Sequence, residues 1–340
     1  MNAGVLVRIL VTGGAGYIGS VLVEKLLKRG YDVSILDLML FGEASVKSLV
    51  ENRVNIIKAD VRNYDPSMLS NHDIVIDLAA ISQPDPQRVI SEKLFYEINY
   101  LAPVRTARLA SKYGVERYVF ASSCSVYGYR DIVVNESSEP NPIELYAKTK
   151  YMAEKDILTI KNMSRTILRL ATVYGLSPKM RFDLVVNAMV LTLFRERKIK
   201  VGRPGTQKRP VVHVNDVADA IISVIESPCD IVDGEIFNVG SNDQNYSVID
   251  LAHEIFSSLN IEPNIEFYGD PDARSYVVDF TKISRMLKFS CKYKIADGVR
   301  EIYEALKEGV VNYAPWTKVI DWWEKLQTEG IVRSLGGVEA

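Results

Sequence analysis

A short apolar run, Ile9-Leu10-Val11, is cut off by four glycines within seven positions, Gly13, Gly14, Gly16 and Gly19. Apolar residues at helical spacing, Ile18, Leu22 and Leu26, then take over. The first run is too short for a helix, so the order reads strand, tight turn, helix. A glycine at the strand end permits the sharp turn, a second lets backbone N–H groups approach a phosphate, and a third lets the helix pack close on the sheet. Gly13, Gly16 and Gly19 have that spacing; counting from Gly14 gives a second register, and the pattern alone leaves both open. A second strand, 32–36, ends at Asp37, about where a carboxylate meets the ribose hydroxyls of a bound dinucleotide. That carboxylate would repel a 2′-phosphate, and no Lys or Arg occurs over 38–45, which favours NAD over NADP.

Composition bounds the other possibilities. With 340 residues and 47% hydrophobic content, the chain can bury a large core in one large or two intimate domains. A net charge of −2 gives no electrostatic reason to expect nucleic-acid or membrane binding. Cys124, Cys229 and Cys291 are widely spaced, and three histidines build no metal site by themselves, so no metal is expected and the cytoplasm is the default compartment. The N-terminus lacks the pattern of a secretory signal, and no apolar segment reaches membrane-spanning length.

Strand-like and helical runs alternate as far as Ala171, which predicts an α/β fold with a doubly wound parallel sheet. Strands are expected over 7–11, 33–36, 54–59, 74–79, 117–121 and 166–170. A long helix is expected over 87–112, kinked by Pro103. Past Gly175 the rhythm predicts a helix over 179–197, a strand over 210–214, and a helix over 217–226 capped by Asn215 or Asp216. A strand at Ile236–Val239, a helix at Val248–Leu259, a strand at Ile265–Tyr268 and helices at Thr281–Leu287, Ile295–Lys307 and 316–327 follow, with 334–340 loose. The expected division is a dinucleotide-binding domain over 1–175, completed by segments near 208–240, and an interleaved, smaller α+β substrate domain over 176–330.

Tyr146 and Lys150 are four residues apart at the start of a helical run, so they share one face. A free phenol titrates near ~10, but a neighbouring ammonium and the positive ring of an oxidised nicotinamide both favour its phenolate. Such a pair can take a proton from an alcohol while hydride leaves the same carbon. Ser123, at the end of an apolar strand, is the natural third partner, donating to the substrate oxygen. If the pleat persists, Ser123 and Ser125 point one way and Cys124 the other, into the packing.

Together, Thr12-Gly13, Gly16, Gly19, Asp37, Asp60-Val61, Leu78-Ala79-Ala80, Asn99, Ser122-Ser123, Val126-Tyr127-Gly128 and Tyr146-x-x-x-Lys150 resemble the extended short-chain dehydrogenase/reductases, specifically the nucleotide-sugar epimerase/dehydratase family. The resemblance runs from Val7 to about Tyr313. It implies that Gly13, Gly16, Tyr17, Ile18 and Gly19 form the cofactor loop, Asp60 and Val61 hold the adenine, Leu78, Ala79 and Ala80 line the cofactor's path, and Asn99 braces the sheet. Tyr146 and Lys150 would also touch the nicotinamide ribose. It further implies a nucleotide-diphosphate sugar as substrate, met by Ser123, Ser125, Thr172, Asn187, Arg209 and Arg274, and a homodimer built on paired helices.

Asp77 stands where the family usually has His, and Thr172 where it often has Asn. Ser123-Cys124-Ser125 replaces the Thr-Asp-Glu of sugar dehydratases and the Glu of decarboxylases. The expected reaction is therefore 4-epimerisation, of UDP-glucose and UDP-galactose foremost. A 4-keto-sugar reductase or dehydratase of the same family is the alternative, and a non-catalytic NAD-binding scaffold the remote one.

Overall fold

The computed structural model describes residues 6–46, 54–82, 89–270 and 275–336. Its centre is a seven-stranded sheet of β1 (Arg8–Thr12), β2 (Asp32–Asp37), β3 (Asn55–Lys58), β4 (Ile74–Asp77), β5 (Arg117–Ser123), β7 (Ser164–Leu170) and β11 (Ile236–Val239). The spatial order is β11-β7-β5-β4-β1-β2-β3, and every pair is parallel. The order reverses at β1, so the carboxyl ends of β1 and β4 open a crevice, the place where ligands of such sheets bind.

Alternation in the strands feeds two layers. Ile9 and Val11 enter one core and Leu10 the other, so β1 is apolar throughout. The first core continues without a break into helices Val248–Leu259 and Ile295–Lys307, so the two halves share one apolar interior. On the opposite face, helices Ala102–Lys112 and Leu145–Thr159 pack Val104, Ala107, Ala153 and Ile157 against Tyr118 and Phe120.

Two short strands, β6 (Val133–Val134) and β14 (Val277–Val278), pair in parallel. β10 (Lys208–His213) runs between β8 (Thr172–Tyr174) and β12 (Asn245–Ser247), and β9 (Ile199–Gly202) pairs with β13 (Ile265–Tyr268). Of the late segments expected to complete the first sheet, the one near Phe237 does join it as β11, whereas Val212 sits in the separate three-stranded sheet.

Three local expectations are corrected. The helix expected over 179–197 spans only Val185–Glu196, because Arg181 turns back to pair with Asp183 and Phe182 N–H donates to Thr317 O. Helix Val214–Glu226 begins three residues early, capped by His213, whose ring accepts from Asn215 N. Asp216, an expected cap, instead accepts from the N–H groups of Lys292 and Tyr293. The long helix begins at Glu92 and carries a π-turn at Glu97–Leu101, just ahead of Pro103, whose missing N–H would otherwise leave a carbonyl unpaired. Gln87, where that helix was expected to begin, lies outside the described residues. Among the described residues no helix is long and apolar enough to cross a membrane.

Candidate active site

The site gathers at the carboxyl ends of β1, β2, β4 and β5. Gly13 leaves β1 with a φ of +66°, a left-handed conformation that a side chain would strain. A Cβ there would sit 2.8 Å from Ala79 N, and one on Gly19 would sit 2.4 Å from Gly13 O. The left-handed φ and the backbone contact at Gly13 favour the register that starts there, since Gly19 is common to both. Gly16 is the N-cap of helix Tyr17–Lys28, with no side-chain cap and no acidic residue in the first turn. The first N–H groups of that helix are thus left for an anion.

Asp37, at the end of β2, accepts from Ala15 N at 3.1 Å and Met39 N at 2.8 Å, which fixes its carboxylate beside the glycine loop. Burial raises its pKa, and those two N–H groups oppose the rise. Across the loop, Leu78 N donates to Thr12 O and Ala79 N to Thr12 Oγ1, and Ala80 continues this segment. Asn99, wholly buried in the π-turn, clamps Ile81 through both its N–H and its C=O at 2.8 Å. Asp77 is buried and accepts from Thr12 Oγ1 at 2.6 Å and from Tyr118 Oη; burial pushes its carboxyl up. Asp60 is chelated by Arg62, which holds its pKa low despite partial burial, and Val61 packs beside it in the second core.

Strand β5 ends at Ser123, whose Oγ accepts from Ser125 N at 3.1 Å and lies 2.9 Å from Ser125 Oγ, which donates to it. The pleat does not persist, because a 3₁₀ turn over Cys124–Tyr127 follows. The two serines converge all the same, and Cys124 points inward to donate to Arg169 O. Burial drives its thiol pKa far up.

Helix Leu145–Thr159 brings Lys150 beneath this turn: its Nζ donates to Ala121 O at 2.8 Å and lies 4.5 Å from the Phe120 ring centre. Desolvation lowers the Lys150 pKa to about 8, with Asp77 and Glu154 acting in the opposite sense. Tyr146, one turn earlier, borders the cluster of Leu94, Phe95 and Trp323. Burial pushes its phenol up to about 12, and the nearby Arg181 guanidinium draws it down. On the next turn of the same helix, Glu154 pairs with Arg169 at 2.7 Å, both almost wholly buried, and also accepts from Ser122 Oγ.

Some expected ligands are spent on the protein. Asn187 is wholly buried; its amide accepts from Gly175 N and donates to Tyr17 Oη and Arg181 O, so it braces the loop rather than facing a ligand. The Tyr17 hydroxyl donates to Gly175 O, leaving only the backbone of Tyr17 for a cofactor, while Ile18 packs on the core. Thr172 opens β8 and is half-buried, and Arg209 lies on the neighbouring β10. Arg274 lies outside the described residues.

The sequence reading missed the loop 176–184. Arg181 reaches Ser82 Oγ at 2.6 Å and Asp183 at 2.6 Å, and Lys179 is nine-tenths buried beside Phe41. The signal was there as charges alternating at 179, 181 and 183, a period that no helix shares.

A glycine turn feeding an uncapped helix, with a carboxylate at the end of the next strand, is the arrangement of a dinucleotide-binding protein. The sequence profile of the NAD dependent epimerase/dehydratase family matches residues 9–240, and this chain belongs to that family. NAD is its cofactor. The chain is similar to a UDP-glucose 4-epimerase from Lactobacillus helveticus, 27% identical over 86% of this chain and 94% of that protein. It is also similar to a UDP-N-acetyl-alpha-D-glucosaminuronate decarboxylase from Bacillus cytotoxicus, 27% identical over 88% of this chain and 98% of that one. Among solved structures, a UDP-glucuronic acid 4-epimerase from Bacillus cereus, in complex with UDP-glucuronic acid and NAD, matches with a TM-score of 0.81 at 25% identity. That match covers 88% of this chain and 99% of the other.

Proposed function

We propose that this protein is a nucleotide-sugar 4-epimerase, with UDP-glucose and UDP-galactose the foremost substrates. The observation that carries the reading is the turn after β5. Its hydroxyls, Ser123 and Ser125, face one another, Cys124 is buried against Arg169 O, and no carboxylate stands among them. Abstracting a proton from C5 and expelling a hydroxyl, as a dehydratase must, needs an acid and a base at that turn. Neither serine supplies that pair, and the buried, high-pKa thiol does not either.

NAD, which the glycine loop and Asp37 would hold, would supply reversible hydride chemistry at C4. The chain's own part is proton handling and orientation. Tyr146 Oη takes the proton of the C4 hydroxyl as C4 is oxidised, and returns it to the same oxygen, O4, when hydride comes back to the opposite face of C4. Its phenol stands near 12 through burial, so it needs positive charge close by to act at neutral pH. The Arg181 guanidinium contributes such charge, and the Lys150 ammonium, anchored on Ala121 O one helical turn from Tyr146, would add to it. Ser123 donates to the sugar oxygen as it becomes a carbonyl. Arg181 is already paired with Asp183, which favours an uncharged hexose over a hexuronic acid.

The test is incubation with UDP-galactose, UDP-glucose or UDP-glucuronic acid without added reductant, followed by chromatography of the products. Conversion between C4 epimers supports the reading. In a parallel incubation with NADH and a nucleotide 4-keto-sugar, stoichiometric consumption of NADH would instead mark a keto-reductase, and conversion of none of the sugars above would end the proposal. Tyr146→Phe is expected to lower kcat by about 10²–10⁴-fold while leaving NAD bound.

We also propose a homodimer in which helices Ala102–Lys112 and Leu145–Thr159 pair with their copies, burying the exposed Leu101 at the head of this face. Sedimentation as a monomer at micromolar concentration would refute it.

A further inference from the structure

Lys179 is 6% exposed, a rare state for a lysine. Its ammonium donates to Trp316 O and lies 4.4 Å from the Phe41 ring centre. Among the described residues no carboxylate comes within ion-pair distance of it, whereas its neighbour Arg181 is neutralised by Asp183. Burial lowers its pKa to about 8, with Arg181 adding to the fall and the more distant Asp183 carboxylate opposing it. A buried cation without a counter-charge is costly unless an anion completes the site.

Three segments hold Lys179; two are bonded to the glycine loop or to the first turn of its helix, and the third is bonded to the stretch after Asp37. Lys179 N–H donates to Ser177 Oγ, and Ser177 Oγ in turn donates to Tyr17 O in the first turn of helix Tyr17–Lys28. Phe41 belongs to the stretch after Asp37 that is tied to the loop by the Ser45 Oγ bond to Ala15 O at 2.8 Å. Trp316 precedes helix Val319–Thr328, and on that helix Trp322 Nε1 donates to Leu40 O at 2.7 Å. The missing counter-charge therefore belongs next to the uncapped helix start that serves an anion.

We propose that Lys179 is a phosphate ligand of the cofactor, completing the anion site at the start of helix Tyr17–Lys28, and that the Trp316–Trp322 segment holds it there. This rests on the dinucleotide site and not on the epimerase reaction, so its test is binding rather than turnover. The diphosphate of a sugar nucleotide and a 2′-phosphate are the other sources of the same chemistry, and the ligands tested separate them.

Dissociation constants are measured by calorimetry for NAD, ADP, adenosine, UDP and NADP with the wild type, Lys179→Met and Lys179→Arg. The expected result is at least a tenfold weakening of NAD and ADP in Lys179→Met, about 1.4 kcal/mol, with adenosine and UDP unchanged and partial rescue by Lys179→Arg. In the wild type, affinity for ADP, which lacks the nicotinamide ribose that Lys150 is expected to touch, should fall towards tenfold per pH unit above about 8, while adenosine shows no such fall. That pH arm and Lys179→Arg decide the matter should Lys179→Met not fold. Equal binding of NAD by wild type and folded Lys179→Met, or a loss confined to UDP or to NADP, would overturn the proposal. Failure of the wild type to bind NAD at all would instead count against the dinucleotide site itself.

Discussion

Neutralising Glu154 probes how the catalytic helix is held to the sheet. Its carboxylate meets Arg169 Nη2 at 2.7 Å and Nε at 3.1 and 3.2 Å, and both side chains are at most 3% exposed. Glu154→Gln keeps the shape but turns an N–H₂ towards a guanidinium that offers only N–H groups, and it leaves the Arg169 charge buried and unmatched. Removing one partner of a buried pair costs about 3–5 kcal/mol. With a urea slope of about 3 kcal/mol/M, the unfolding midpoint should drop by about 1–1.7 M. Far-UV circular dichroism and tryptophan fluorescence read the transition.

The same reasoning says that losing both charges is less harmful than losing one. Arg169 also donates to Tyr127 Oη at 3.0 Å, so Arg169→Met alone should be severe as well. The double variant Glu154→Gln/Arg169→Met should then be at least ~2 kcal/mol more stable than the sum of the single changes predicts. A midpoint shift below ~0.3 M for Glu154→Gln, or strict additivity in the cycle, would refute the account.

Gly19→Ala would place a methyl 2.4 Å from Gly13 O and 2.6 Å from Gly14 Cα, both backbone, so the loop must move; NAD affinity measured by calorimetry should fall at least ~10-fold, about 1.4 kcal/mol. Lys150 and Lys179 titrate near 8 in the folded chain against a reference of 10.5, so above pH 8 the unfolded chain binds more protons and stability rises with pH. The thiols of Cys124 and Cys291, raised from 9.0 by burial, act in the opposite sense above pH 9, so the unfolding free energy read from urea titrations should climb by about 1–2 kcal/mol between pH 8 and 9 and then level off. Alkylation at pH 7.5 should modify the exposed Cys229 rapidly and Cys124 only after unfolding, which peptide mass spectrometry resolves.

Local signals carried well where one short stretch decides the outcome. The helix Val248–Leu259 and the strand ending at Asp37 could be read to the residue, because capping and periodicity are written into consecutive positions. Ser123, Tyr146 and Lys150 were legible as types at a spacing, and the structure adds that Lys150 is anchored on Ala121 O. What failed depended on distant partners. Nothing near Asn187 in sequence says that its amide will be used up by Tyr17 and Gly175. His213 caps its helix because the imidazole is already oriented by Glu301, at 2.6 Å, and by a stacked Tyr293. The loop 176–184 reads as helix only until Phe182 is seen bonded to Thr317, far along the chain.

The position of β11 has a bearing on how this chain emerges from the ribosome. Strand β7 pairs with β5 as soon as residue 170 is made, but its other edge must wait about 65 residues for β11. At the usual pace of synthesis, that is roughly 3–13 s of open parallel edge. During that interval, the nascent polypeptide offers Ile167 and Leu168 to any strand that comes by, and a chaperone engaging it would find its footing there.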